Sequence, residues 1–253
     1  MVKSFHIRGG VDDTESGFQT RDLLRFFIID VIIILFSKLL QGMGFFSTPA
    51  AYVLTVLSGK LVLFCYLAWL VHGRRNAWRE AGGGTAGPWW TWPLCLGIYA
   101  LSHPLLMWVN RFNIYLLQQI YTCFDRIFEP AQQNISFFIF EDILSLPIRV
   151  ILVAFTILFG PFMEELAFRG MGLDAFRRTG GTASAVLWTS LLFGLYHVSL
   201  QMFVPLTALG AVFAMARLLS RSLWCALAIH SLHNSLVLAF TAHALGWFDF
   251  LTR

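Results

Sequence analysis

The sequence predicts an all-α fold: a polytopic membrane helix bundle of about seven spans, bounded by six and eight, with a polar site buried between helices. Three observations carry that prediction. Of 253 residues, 57% are hydrophobic and 13% charged, about half the charged share of an ordinary soluble domain. Mean hydropathy is +0.68. Apolar runs of about 20 residues, the length that crosses a bilayer, recur along the whole chain. The net charge of +4 does not point to nucleic acid, because the basic residues stand singly or in pairs at the ends of apolar runs, where they set topology.

Taken in order, residues 1–22 are polar and of mixed charge and read as a cytoplasmic N-terminal segment. The apolar run that follows is too long for a signal peptide and lacks a small-residue cleavage site, so it reads as a retained first span. Spans are expected near 26–46, 50–72, 90–110, 148–171, 183–200, 203–219 and 223–245. Residues 23–147 are then expected to form the N-terminal membrane helices, residues 148–245 a second membrane core and residues 246–253 a C-terminal tail. Within the first of these regions, residues 113–147 mix apolar and polar positions at helical spacing and read as an interfacial helix and loop. "EAGGGTAGPWW", residues 80–90, reads as a flexible cytoplasmic linker ending in interfacial tryptophans. Cys65, Cys95, Cys123 and Cys225 show no CxxC spacing and imply neither a disulfide framework nor a thiolate metal site.

Arg74, Arg75 and Arg79, then Arg177 and Arg178, then Arg217 and Arg221 all fall on one side of the membrane in this scheme. The positive-inside rule makes that side cytoplasmic, with the N-terminus inside; compactness and short loops suit a multi-pass protein of the cell inner (plasma) membrane.

Ionisable groups in such helices cost at least about 2.5–3.5 kcal/mol and need a partner or a wet cavity. Asp30, Lys38 and Lys60 could act directly and His103 could be a ligand, but structural explanations weigh more, by snorkelling, by position near a span end or, for His103, by bonding beside the Pro104 kink. The second half of the chain differs. It offers Glu164, Glu165 and Arg169 in "EELAFR", Phe193 and His197 in "FGLYH", and His230 and Asn234 in "HSLHN". Glu165 and Arg169 are four apart with the acid first, a favourable helical pair. Glu164 points about 100° away and is left for another task. His230 and Asn234, also four apart, share one helix face. Counted at about 1.5 Å per residue from the basic joins, Glu164, His197 and His230 reach similar depth.

Such a set suits attack of water on an amide carbonyl. Glu164 is the candidate general base, His197 positions or polarises the water, and His230 with Asn234 makes an oxyanion site; Glu165, Arg169 and Phe193 support them. No cofactor is required. The same Glu164, His197 and His230 offer one oxygen and two nitrogen ligands for zinc, which is the less favoured alternative because there is no HExxH helix. Ser58 in "VLSGK" lacks a base partner and reads as a small-residue helix contact. A structural polar network and a proton relay in a small transporter are the other uses of such residues.

The order EExxxR, FxxxH, HxxxN on successive helices resembles the CAAX protease and bacteriocin-processing family of intramembrane endopeptidases, also called the Abi family. The resemblance covers residues 148–240, with family-like surroundings in "LWTSLLFGLYH" and "RSLWCALAIHSLHNS"; residues before 148 match only as generic membrane helices. It implies hydrolysis of a peptide bond in a membrane-associated protein or peptide, near its C-terminus or beside a membrane segment. A non-catalytic bacteriocin-immunity or membrane binding protein of the same fold, and a processing enzyme for C-terminal sorting signals, are the alternatives it leaves open.

Overall fold

The computed structural model describes residues 18–46, 48–74, 76–123, 139–140, 143–197 and 199–245. Most of the expected N-terminal segment, residues 124–138 of the expected interfacial loop and the C-terminal tail lie outside these.

Helix α1, Thr20–Gly42, begins at a capping box in which the Asp22 carboxylate accepts from the Gln19 N–H at 2.8 Å. Helix α2, Pro49–His72, starts with Thr48 as its cap and Pro49 in the first turn, where a missing N–H costs nothing. A short α3, Ala77–Glu80, leads through residues 81–90 to α4, Thr91–Cys123. The chain then runs through α5, Leu146–Ala154, a π-helical segment, Phe155–Phe159, α6, Gly160–Glu165, and a second π-helical segment, Leu166–Gly172. Helix α7, Leu173–Tyr196, follows, then α8, Leu200–Ser220, and α9, Leu223–Ala244. Ser199 and Ser222 cap α8 and α9 by accepting from Met202 N–H and Trp224 N–H.

Gly181, at φ 78° and ψ 177°, breaks α7, and only a residue without Cβ takes that conformation readily. The chain turns back there: Phe193 lies edge-on to Phe168 at 5.4 Å, and Thr189 stands beside Gly172. The two arms are the expected fourth and fifth spans.

Five stretches among the described residues are long and apolar enough to cross a membrane: Pro49–His72, Thr91–Ile120, Leu146–Tyr196, Leu200–Ser220 and Leu223–Ala244. The protein is therefore a multi-pass, all-helical membrane protein. The expected count was larger for two reasons. Leu146–Tyr196 holds both arms of the fold-back, and α1 carries Arg25, Asp30 and Lys38 within its apolar run.

Two local expectations are corrected. The third span does not stop near residue 110; α4 runs unbroken to Cys123. A hydropathy window measures fitness for lipid, not persistence of helix, and Asn113 finds a partner by donating to the Gln201 carbonyl at 2.6 Å. Residues 81–88 are also not a free linker. Ala81, Gly82 and Gly83 are buried, and the loop's carbonyls take donors from the start of α9 and its cap Ser222. Leu223 N–H bonds Gly82 O at 3.0 Å, Trp224 Nε1 bonds Gly83 O at 3.1 Å and Ser222 Oγ bonds Thr85 O at 2.7 Å. The glycines permit close approach: a Cβ on Gly82 would meet the Arg217 guanidinium at 2.6 Å, and one on Gly87, at φ 76°, the Ser220 carbonyl at 2.8 Å.

The main core joins α1, α2, both arms of the fold-back, α8 and α9. Phe26 and Phe27 of α1 meet Phe168 edge-on at 6.4 and 5.7 Å, and Phe26 stacks on Tyr196 at 5.8 Å. The N-terminal helices thus press directly on the segment that carries the acidic residues.

Candidate active site

Glu164 and Glu165 close a six-residue α-helix held between two π-helical segments. A π turn widens the helix and releases backbone groups from the usual ladder, a distortion frequent at functional sites. Within the first of these segments the Thr156 carbonyl accepts from Asn234 Nδ2 at 2.9 Å.

Glu165 is fully buried. Its Oε1 accepts from Arg169 Nη1 at 3.1 Å, the pair expected from their spacing, and from His230 Nδ1 at 2.8 Å. Arg169 is equally buried and donates Nη2 to the Gly210 carbonyl at 2.9 Å. Its guanidinium lies over Phe193 at 4.4 Å and Phe213 at 5.3 Å, which holds the cation among ring faces rather than in water.

Glu164 turns its Oε2 toward two imidazoles. His230 Nε2 stands 3.7 Å away and His197 Nε2 3.9 Å away. Both separations exceed a direct hydrogen bond, and Oε2 is buried without a partner. His197 fixes its own tautomer by donating Nδ1–H to the Phe193 carbonyl at 2.9 Å, so its Nε2 faces Glu164. Phe213 stacks on His230 at 4.5 Å and Phe193 meets His197 at 4.9 Å, so the two rings are walled by aromatics. Glu164 and His197 keep 16% and 30% of their side-chain surface exposed, whereas His230 keeps 4%.

The structure therefore brings Glu164, Glu165, Arg169, Phe193, His197 and His230 together. Asn234 lies one turn along α9 from His230, with one amide N–H committed to Thr156 and a second remaining. The sequence reading separated the two glutamates by about 100° and gave them different surroundings. In the fold they share His230, one at each ring nitrogen. That link joins residues 65 positions apart and no helical spacing carries it.

A further cluster adjoins the site. Lys60 Nζ donates to Asp30 Oδ1 at 2.6 Å and to Tyr196 Oη at 3.0 Å, and Tyr196 meets the His197 ring edge-on at 5.6 Å. Tyr196 carried no sequence signal beyond standing next to His197. His103 packs edge-on against Tyr99 at 5.5 Å, and Tyr99 Oη bonds His233 Nδ1 at 3.0 Å, an interhelical tie away from the glutamates.

The zinc alternative meets a geometric difficulty. Among the described residues no three His, Cys, Asp or Glu side chains converge closely enough to share a metal ion. His197 and His230 stand farther from Glu164 Oε2 than the roughly 3.3 Å that separates ligands of a tetrahedral zinc with bonds near 2 Å.

Residues 146–236 match the family model described as Rce1-like, type II CAAX prenyl endopeptidase Rce1-like, so this part of the chain is similar to that family. No curated protein and no solved structure matches the chain.

Proposed function

We propose that the protein is an intramembrane endopeptidase that hydrolyses a peptide bond of a membrane-associated protein or peptide, near its C-terminus or beside a membrane segment, by glutamate-activated water. The convergence of two imidazole Nε2 atoms on the unpartnered Glu164 Oε2 carries this reading.

With Nδ1–H given to Phe193 O, neutral His197 offers a lone pair at Nε2. A water between Glu164 and His197 can give one hydrogen to each and turn its own lone pair toward a carbonyl carbon. As the oxygen attacks, Glu164 takes the proton. His230 gives Nδ1–H to Glu165, and protonated His230 presents a second N–H from Nε2. His230 Nε2–H and the second Asn234 N–H then stabilise the developing oxyanion. Glu164 returns its proton to the leaving amine.

The cytoplasmic placement of the basic joins, with the N-terminus inside, belongs to the same reading and rests on the positive-inside rule; the inner (plasma) membrane is inferred from the compact chain and short loops. The test is membrane proteomics comparing wild type, a deletion strain and a Glu164→Gln strain. Proteins whose C-terminal or membrane-proximal processing disappears in both altered strains are the expected substrates. Processing that persists with Glu164→Gln would leave a binding or immunity role. Elemental analysis of active protein, with chelator treatment, tests the metal-free mechanism.

A further inference from the structure

At one end of the bundle a cleft of about 490 Å³ is lined by Arg177, Arg217, Leu218 and Arg221. Three guanidinium groups around one cleft repel one another, and the nearby carboxylates are too few to balance them. Asp174 pairs with Arg177 at 3.4 Å and also lies close enough to Arg217 to attract it, and Glu80 gives its carboxylate to Arg178 at 3.5 Å. Arg217 and Arg221 make no ion pair among the described residues.

Arg217 is the informative member. It is 8% exposed, donates Nη2 to the Glu80 carbonyl at 3.2 Å and leaves its buried Nε without a hydrogen-bond partner. A buried, unpartnered donor of a charged group is costly unless something accepts from it. The guanidinium is also held in place, because it lies against Gly82 where any Cβ would meet it at 2.6 Å. Arg221 adds a second cost: it is a non-glycine residue at φ 54°, in the left-handed region. Its carbonyl and N–H sit between Ser220 and Ser222, which bond to each other across it, with Ser222 N–H giving to Ser220 Oγ at 3.1 Å.

Position supplies the source of the ligand. The cleft is lined by residues from the end of α8 and the turn into α9, between two stretches long and apolar enough to cross a membrane, and the ends of such stretches are where headgroups meet the protein. We propose that this cleft binds a phosphate group, supplied by the headgroup of an anionic phospholipid. Arg presents several N–H donors in a planar fork that suits phosphate oxygens, and basic pockets between spanning helices are suited to such headgroups. The site is separate from the glutamate cluster and stands whether or not the protein is a protease.

The test is native mass spectrometry of full-length protein from nanodiscs of phosphatidylcholine with a minor share of phosphatidylglycerol, with thermal unfolding run alongside to show that each variant is folded. Wild type is expected to retain phosphatidylglycerol. R177Q/R221Q is expected to retain at least about tenfold less, a difference of 1.4 kcal/mol. R221Q alone, which breaks no ion pair, falls in the same direction. R178Q, outside the cleft, is the control for general charge attraction. Equal retention by wild type and R177Q/R221Q overturns the proposal, as does an equal loss with R178Q. Uptake of inorganic phosphate through Arg177 and Arg221 without retained lipid keeps the anion site and overturns its lipid source.

Discussion

The two halves of the molecule bury charge in different ways. In the N-terminal helices the buried acids are fully partnered. Asp22 receives both Arg74 nitrogens at 2.7 and 2.9 Å, and Asp30 receives Lys60 at 2.6 Å. No oxygen of Asp22 or Asp30 is buried without a partner, whereas Glu164 Oε2 and Glu165 Oε2 both are. Both halves face the same penalty for ionised groups away from water. A completed pair ties helices together; an incomplete one keeps acceptor capacity for a reactant. The difference separates residues that hold the bundle from residues placed to act on something.

Four substitutions test this contrast. Glu164→Gln removes the base while keeping size, and should lower cleavage by about 10²–10⁴-fold with unchanged thermal unfolding in detergent. Activity within a few-fold of wild type would remove Glu164 from the mechanism. Asn234→Ala should lower kcat by about 10²–10³-fold if its second N–H meets the oxyanion. A drop in thermal stability with unaltered kcat would instead reduce Asn234 to a tie to Thr156. Asp30→Asn leaves Lys60 without its counterion and should destabilise by about 1–3 kcal/mol. The double variant Asp30→Asn with Lys60→Met should recover most of that loss, as closed pairs do; no recovery in a double-mutant cycle would deny that the pair is closed. Tyr196→Phe removes one hydrogen bond worth about 1 kcal/mol, and a small change in melting temperature is expected with KM unchanged. A large loss of kcat there would move the Lys60 cluster from the framework into the site.

Legibility followed the range of each interaction. The Glu165–Arg169 pair and the shared face of His230 and Asn234 depend on a four-residue step and could be read from spacing. Membrane character could be read from composition alone. The bond from Glu165 to His230 could not, because it depends on how α9 crosses the segment carrying the glutamates. The π-helical segments beside Glu164 were equally hidden, since a widened turn leaves no fixed residue signature. "EAGGGTAGPWW" misled for a related reason. Glycines that confer freedom on an isolated chain confer close approach in a packed one, and sequence does not distinguish the two. The end of α4 was missed because hydropathy falls at Asn113 while the helix continues.

The packed glycine loop sets a limit on how the chain can be divided. Gly82, Gly83 and Thr85 accept hydrogen bonds from the turn between α8 and α9, and these acceptors belong to the half that precedes residue 146. A chimera that takes residues 146–236 from this protein and its leading helices from a relative would strand those donors unless residues 77–90 travelled with the second half. The natural seam for recombination is therefore not the boundary of the recognisable domain.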